Sequence, residues 1–182
     1  MLLPSIFWLY IFGCTQVHGK ITTKKELFAA KQRYKPNVEA IATFHDKHKG
    51  EAIWIIGNGP SLNKVDVSKL KGKTTIGVNA IYLNKAIKPT YYVIEDSLVA
   101  LDRQDEINSD VLDGTTRFFG TYLSPIIDEK EGVIFMNVDI DYNSQRENWP
   151  LFSTDLRRKV YVGGSVTYIS LQLAYWMGAS TV

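Results

Sequence analysis

Short apolar runs recur along the chain after residue 50, and each has the length and composition of a buried β-strand. Polar segments long enough to form crossover connections separate these runs. The alternation predicts an α/β domain, a Rossmann-like three-layer fold with a mostly parallel sheet. The five runs are Ala52–Ile56, Thr74–Val78, Tyr91–Ile94, Arg117–Phe119 and Val133–Val138.

Residues 20–50 have helical periodicity and form an N-terminal extension ahead of the sheet domain, residues 51–182. Thr23 and Glu26 have the spacing of a capping box, which predicts a helix start directly after Thr23. The pattern of Gly178–Val182 indicates a helix exit and the start of another strand, so we expect the domain to be C-terminally truncated in this chain. The predicted helices are Lys24 to about Tyr34, Val38–His48, Leu98–Leu112 and Ser165–Met177.

Residues 1–19 form an apolar N-terminal segment, and the part from Met1 to Cys14 carries no charged side chain. This part is shorter than the roughly 20 apolar residues that a membrane-spanning helix needs. One interpretation is an export signal cleaved before Lys20, although no Lys or Arg precedes the apolar run, as such signals require. The alternatives are a mispredicted start or a buried segment. We expect a cytoplasmic protein, with secretion or membrane association through residues 1–14 only if residues 1–19 are a signal.

The composition is that of a folded domain: 45% of the 182 residues are hydrophobic, and 21 basic residues nearly balance 19 acidic ones. A protein that binds nucleic acid by neutralising phosphates has a clear basic excess, so we predict no nucleic-acid partner. The single cysteine, Cys14, excludes an internal disulfide framework and a zinc site built on several thiolates. The large aromatic side chains of Trp54, Phe118, Phe119 and Trp176 are predicted to be core residues.

A glycine-rich loop directly follows the first predicted strand: Gly57, Asn58, Gly59, Pro60 and Ser61. Ligands of open parallel sheets bind outside the carboxyl ends of the strands, where this loop lies. Glycines permit close backbone approach and unusual φ angles. Backbone N–H groups and the serine hydroxyl would then meet a phosphate at the start of a helical turn. The alternative is a tight turn that binds nothing.

Polar residues at the ends of later strands lie toward the same edge of the sheet. Asn79 follows the second strand and can both donate and accept a hydrogen bond, which suits a ribose or a base edge. Asp96 follows the third strand and is either a functional carboxylate or the N-cap of the helix that begins near Ser97.

A second glycine-rich stretch precedes the last predicted helix. Gly163, Gly164 and Ser165 suit a phosphate or a sugar, and Thr167 in the first helical turn adds a hydroxyl. The alternative is an ordinary N-terminal cap, in which small residues allow close packing of the helix.

Four segments of the chain, in this order, resemble the MptE-like domain family, which is named for an archaeal 6-hydroxymethylpterin diphosphokinase. The resemblance extends from about Lys47 to the C-terminus. The first glycine-rich loop is also similar to that of bacterial sialyltransferases that use CMP-sialic acid. The four segments are Ile55–Leu62, Gly77–Leu83, Pro89–Asp96 and Tyr161–Ala174.

The resemblance implies a nucleotide-binding transferase whose partners are a small-molecule nucleotide and an acceptor substrate. In the diphosphokinase interpretation, ATP donates a diphosphoryl group to the hydroxymethyl group of a dihydropterin, and Asp96 is the catalytic residue and holds Mg²⁺. In the sialyltransferase interpretation, Asn79 contacts the nucleotide of a CMP-sugar, and the catalytic histidine would lie beyond Val182. A truncated nucleotide-binding module without catalytic groups is the third interpretation. The oligomeric state stays open.

Overall fold

The computed structural model of the chain describes residues 21–140 and 148–182. Within these residues, five parallel strands form one sheet in the order β1-β2-β3-β4-β5, which confirms the predicted α/β fold with a parallel sheet. The predicted strand Val133–Val138 is divided at Asn137, after which a small parallel sheet of two strands begins. The strands are β1 (Ile53–Ile56), β2 (Thr74–Val78), β3 (Tyr91–Ile94), β4 (Thr116–Gly120), β5 (Val133–Met136), β6 (Val138–Asp139) and β7 (Val160–Tyr161).

The helices are mostly shorter than the sequence predicts. The capping box of Thr23 and Glu26 is confirmed, but the first helix ends at Ala29, and the predicted third helix is broken at Arg103. In the described part of the chain, no helix is both long and apolar enough to cross a membrane. The helices are α1 (Lys24–Ala29), α2 (Val38–Ala42), α3 (Ser97–Asp102), α4 (Gln104–Asn108) and α5 (Val166–Trp176).

The sheet separates two hydrophobic cores. Because the strands follow one another across the sheet, right-handed connections place every crossover from β1 to β5 on one side, here called the crossover face. On β3, Tyr92 and Ile94 pack into the core of the crossover face with α3 and α4. Tyr91 and Val93 point the opposite way and pack under α2 and α5, on the side here called the return face. The predicted three layers are therefore present.

The crossover face is thinly covered beside β1. The connection from β1 to β2 consists of two short 3-10 turns, Pro60–Lys64 and Val67–Leu70. Trp54 alternates with Ile53 and Ile55, which pack toward the return face, so its ring lies on this thinly covered side and is 49% exposed. The prediction that Trp54 is a core residue is therefore wrong, because an apolar run does not reveal what covers each side of it.

Residues 21–50 wrap around the β5 edge of the sheet. Leu27 is buried in the core of the crossover face, whereas Ile41 and Phe44 are buried in the core of the return face. Between them, the N–H of Asn37 donates to the Phe135 carbonyl at 2.8 Å, and the Phe135 N–H donates to Asn37 Oδ1 at 2.6 Å. Asn37 thus occupies the N–H and carbonyl groups of Phe135 in the edge strand β5, which would otherwise be free to pair with another strand.

Helix α5 returns the chain to the opposite edge of the sheet. After α5, Thr181 forms an isolated parallel bridge with Ala52, and the Ile53 N–H donates to the Thr181 carbonyl at 3.0 Å. The chain therefore reaches β2, on one side of β1, through a connection on the crossover face. It reaches Thr181, on the other side of β1, through α5 on the return face. In open α/β sheets, ligands usually bind outside the carboxyl ends of the strands, next to such a change of direction.

Candidate functional site

The glycine-rich loop after β1 lies on the surface at the carboxyl end of that strand. All five residues from Gly57 to Ser61 are exposed. The helical turn predicted after the loop is a five-residue 3-10 turn, Pro60–Lys64, and the Leu62 N–H is used within it to bond the Gly59 carbonyl at 2.9 Å. The loop therefore offers a short turn and a serine hydroxyl to an anion, without a long helix behind them.

The two glycines of this loop are not explained by the fold. Gly59 has φ −67° and ψ 162°, an ordinary extended conformation, and the φ of Gly57 is not positive either, so the expected unusual φ angles are absent at both. A Cβ added at Gly57 or Gly59 would meet no described heavy atom within 4 Å. By contrast, a Cβ at Gly77 would lie 2.7 Å from the Ile81 side chain. The loop glycines leave backbone open on the outside of the molecule, as close approach by a ligand requires.

Asn79 sits beside this loop in a costly conformation. It directly follows β2, as predicted, and has a φ of +50°, a left-handed conformation that costs a non-glycine residue about 1 kcal/mol or more. Its side-chain Oδ1 is buried and accepts no hydrogen bond from any described residue. The hydroxyl of Tyr82, three residues further along the same 3-10 turn, is also buried without a described partner. Unpartnered buried polar atoms are rare, and they mark a place where a ligand or water donates or accepts.

Two tyrosines fix the backbone at this edge. The Tyr92 hydroxyl donates to the Asn79 carbonyl at 2.6 Å, and the Tyr122 hydroxyl donates to the Glu95 carbonyl. Each phenol thus reaches from one strand or the loop after it to the end of the preceding strand. Neither tyrosine was predicted from the sequence to be part of the site. Tyr92 could have been recognised from the sequence, because it lies in a predicted strand that is buried on both faces, where a tyrosine hydroxyl needs a hydrogen-bond partner.

Asp96 caps a helix. Its Oδ1 accepts a hydrogen bond from the Leu98 N–H at 2.7 Å, at the start of α3, so the N-cap interpretation is confirmed. The carboxylate is exposed, whereas the neighbouring Glu95 is buried. Among residues 21–140 and 148–182, no group of three or more His, Cys, Asp or Glu side chains is arranged to hold a metal ion. The capping hydrogen bond uses Oδ1 of Asp96 and does not involve Oδ2.

The second glycine-rich stretch is explained by the fold itself. Gly163 and Gly164 have φ angles of +53° and +81°, which glycine adopts readily, and the ring of Tyr168 occupies the space where a Cβ of Gly163 would lie. Ser165 is the N-cap of α5, since its Oγ accepts from the Thr167 N–H at 3.1 Å. These contacts agree with the predicted helix cap, and a ligand is not needed to account for the glycines.

Charge is segregated across the crossover face. Residues 57–90 carry six lysines and one aspartate, whereas residues 95–131 carry three basic and ten acidic residues. Apolar residues of both segments pack under the crossover face, and the six lysines are exposed. The near balance of the whole chain therefore conceals a basic segment. Lys71 and Lys73 precede β2 and Lys85 and Lys88 precede β3, toward the amino ends of the strands, so Lys64 is the lysine nearest to the first glycine-rich loop in the sequence.

The fold and the site together define a Rossmann-like α/β domain with a candidate anion site at the carboxyl edge of β1 and β2. No protein-family model, curated protein or solved structure matches the chain. The resemblance to the MptE-like family therefore stays a prediction. The apolar segment of residues 1–19, with its signal interpretation, lies outside the described residues.

Proposed function

We propose that the chain binds a nucleotide across the loop from Gly57 to Ser61 and Asn79, and that it is a transferase. The observation that carries the proposal is Asn79, whose strained backbone and unpartnered Oδ1 lie at the carboxyl edge of the sheet. A ribose hydroxyl or a base amino group would supply the missing donor. The open glycines support phosphate approach, and Lys64, in the turn that follows the loop, supports attraction of an anion.

The proposed reaction is diphosphoryl transfer from ATP to an acceptor hydroxyl. The hydroxyl oxygen forms a bond to the β-phosphorus, the bond from the β-phosphorus to the oxygen it shares with the α-phosphorus breaks, AMP leaves, and the hydroxyl proton passes to solvent. Such a reaction depends on positioning and on neutralising phosphate charge. Oδ2 of Asp96 is the oxygen that would contact a phosphate-bound Mg²⁺. A single carboxylate provides too few ligands for an independent metal site. It suits an ion that is already bound to the nucleotide phosphates.

Titration calorimetry with ATP, CMP and CMP-sialic acid, each with and without Mg²⁺, tests the proposal. Magnesium-dependent ATP binding with turnover supports the diphosphokinase reaction. Metal-independent binding of CMP would replace it with a glycosyltransferase, and binding without turnover would replace it with a non-catalytic module. Absence of binding by all three compounds would contradict the nucleotide site.

The loop can be tested by replacing Gly59 with Val. The extended φ and ψ of Gly59 and the empty space around it accept a side chain, so we expect the free energy of unfolding to stay within about 0.5 kcal/mol of the native value. The added side chain would occupy the surface that a phosphate approaches, so nucleotide affinity should fall at least about tenfold. The Ala42→Val variant, at an exposed helix position on the return face, is the control. Unchanged nucleotide affinity in Gly59→Val would exclude the loop from the site.

A further inference from the structure

A cavity lies beside the glycine-rich stretch that precedes α5. Its volume is about 400 Å³, within the range of small-molecule sites. The ring of Phe152, on its wall, makes an edge contact with the ring of Tyr168, which in turn fills the space next to Gly163. The cavity is lined by Phe152, Ser153, Asp155, Arg158, Lys159 and Tyr161.

One buried side chain holds two walls of this cavity in place. Gln172 of α5 is fully buried, and its Oε1 accepts from the Ser153 N–H at 3.1 Å and from the Tyr161 N–H at 3.0 Å. Its Nε2 donates to the Tyr161 carbonyl at 2.6 Å and to the Tyr168 carbonyl at 3.0 Å. The carboxamide therefore ties both segments to α5 and satisfies all its own groups. A cavity fixed in this way is formed before a ligand arrives, which lowers the entropic cost of binding.

The charges of the cavity leave one cation available. Both oxygens of Asp155 are engaged by the guanidinium of Arg157, at 2.8 Å and 2.9 Å. Lys159 Nζ lies 3.0 Å from Asp139 Oδ2. Arg158 is exposed and forms no ion pair within 4 Å with a described carboxylate, although its charge interacts with that of Asp155 over a longer distance. Because the oxygens of Asp155 are bonded to Arg157, the planar guanidinium of Arg158 keeps its own donors for a carboxylate or a phosphate.

We propose that this cavity binds a small organic acid that contains a flat ring, with its carboxylate or phosphate at Arg158 and its ring against Phe152 and Tyr161. The aromatic walls supply apolar surface, and the guanidinium supplies charge-assisted hydrogen bonds in a fixed plane.

Titration of the full chain with phenyl phosphate, benzoate and neutral benzyl alcohol, followed by ¹⁵N NMR, tests the proposal. We expect saturable shifts of the Gln172 side-chain amide and of the Arg158 Nε signal with at least one acid. Affinity for benzyl alcohol should be at least about tenfold weaker, because it lacks the anion. A preference between the two acids identifies the anionic group as a phosphate or a carboxylate. The proposal is overturned if neither acid produces saturable shifts at these positions.

Variants separate this cavity from the nucleotide site. Arg158→Gln should weaken binding of the acid at least about tenfold, whereas Arg158→Lys should retain part of it. The control is Arg103→Gln, which removes a positive charge paired with Asp102 and Glu106 near the crossover face. Equal acid affinity in the native chain and Arg158→Gln would overturn the proposal. Nucleotide titration of the same variants keeps the two proposals apart, since failure of ATP to bind leaves the acid site standing.

Discussion

Two features of Asn79 lower the stability of the folded chain, and no contact among the described residues compensates for them. Its left-handed backbone costs about 1 kcal/mol or more, and its buried amide oxygen lacks a donor. The Tyr92 hydroxyl holds its carbonyl in this geometry. Residues with strained backbones persist where surrounding contacts fix them, and they are concentrated at functional sites. Asn79 is therefore the residue at which stability and binding should respond in opposite directions.

Replacing Asn79 with Gly tests this opposition. Glycine adopts a φ of +50° without a Cβ penalty and removes the unpartnered oxygen, so we expect the free energy of unfolding to rise by about 1 kcal/mol. Nucleotide affinity should fall at least about tenfold, because the amide that would bond the ribose or base is gone. Urea unfolding and nucleotide titration measure the two quantities. The matched variant Asn79→Ala also removes the oxygen but keeps a Cβ in the left-handed conformation, so it should gain less stability than Asn79→Gly does.

A loss of stability in Asn79→Gly would mean that the amide makes a contact that the structure does not contain. A gain of stability with unchanged nucleotide affinity would instead exclude the amide from the binding site.

The candidate residues were predictable individually, but their geometry was not. Strand ends are recognisable in the sequence, so Asn79 and Asp96 could be placed at the carboxyl edge from the runs that precede them. Whether a glycine is needed for its own φ, for a neighbouring ring or for a ligand depends on atoms distant in sequence. Only the structure therefore distinguishes Gly163, next to Tyr168, from Gly59, next to open space.

At the scale of elements, strands were predicted better than helices. Thr74–Val78 and Tyr91–Ile94 match β2 and β3 residue for residue, because both strands are largely buried and are rich in β-branched and aromatic residues. Periodicity overextended the helices, since α1 and α2 end after six and five residues and are fixed by packing instead of propensity. The strand order and the bridge to Thr181 depend on long-range pairing, which a local pattern does not encode.

Asp96 is the N-cap of α3 as well as the candidate catalytic carboxylate, and two substitutions separate these roles. Asp96→Ala removes the acceptor for the Leu98 N–H and should lower the free energy of unfolding by about 1 kcal/mol. Asp96→Asn retains a capping oxygen, so stability should change by less than about 0.5 kcal/mol. If Asp96 contacts the metal–nucleotide complex, Asp96→Asn should still weaken Mg²⁺-dependent ATP binding at least about tenfold, measured by calorimetry. Native affinity in Asp96→Asn would leave only the capping role.

At the scale of the whole molecule, the topology favours the carboxyl end of β1 as a ligand site. The first glycine-rich loop follows β1, where the connections to the neighbouring strands change direction. The lysines of residues 57–90 follow that loop in the sequence, while most of the acidic side chains are in residues 95–131. Neither feature depends on the other, since strand order is set by pairing and surface charge is set by exposed residues.

The centre of the sheet makes the stability of the molecule sensitive to alkaline pH. Tyr91 and Tyr92 are buried in β3, on the return face and the crossover face respectively. Burial raises the pKa of Tyr91 from 10 to about 12, with a smaller contribution from Glu51, and burial also raises the pKa of Tyr92. The folded state therefore binds both phenolic protons more tightly than the unfolded state does. Stability from this source is fully present below pH 10 and is lost as the pH rises from 10 toward the folded pKa values.

Urea unfolding at a series of pH values from about 8 to about 11 measures this loss. Above pH 10, the free energy of unfolding should fall by about 1.4 kcal/mol per pH unit for each of the two phenols. Tyr91→Phe removes one of them and should reduce the slope by about 1.4 kcal/mol per pH unit. Loss of its hydrogen bond with His48 Nε2 at 2.7 Å also lowers stability at every pH by about 1 kcal/mol. Tyr175→Phe, at an exposed position on α5, should leave the slope unchanged. A slope unaffected by Tyr91→Phe would show that the Tyr91 phenol does not retain its proton through burial.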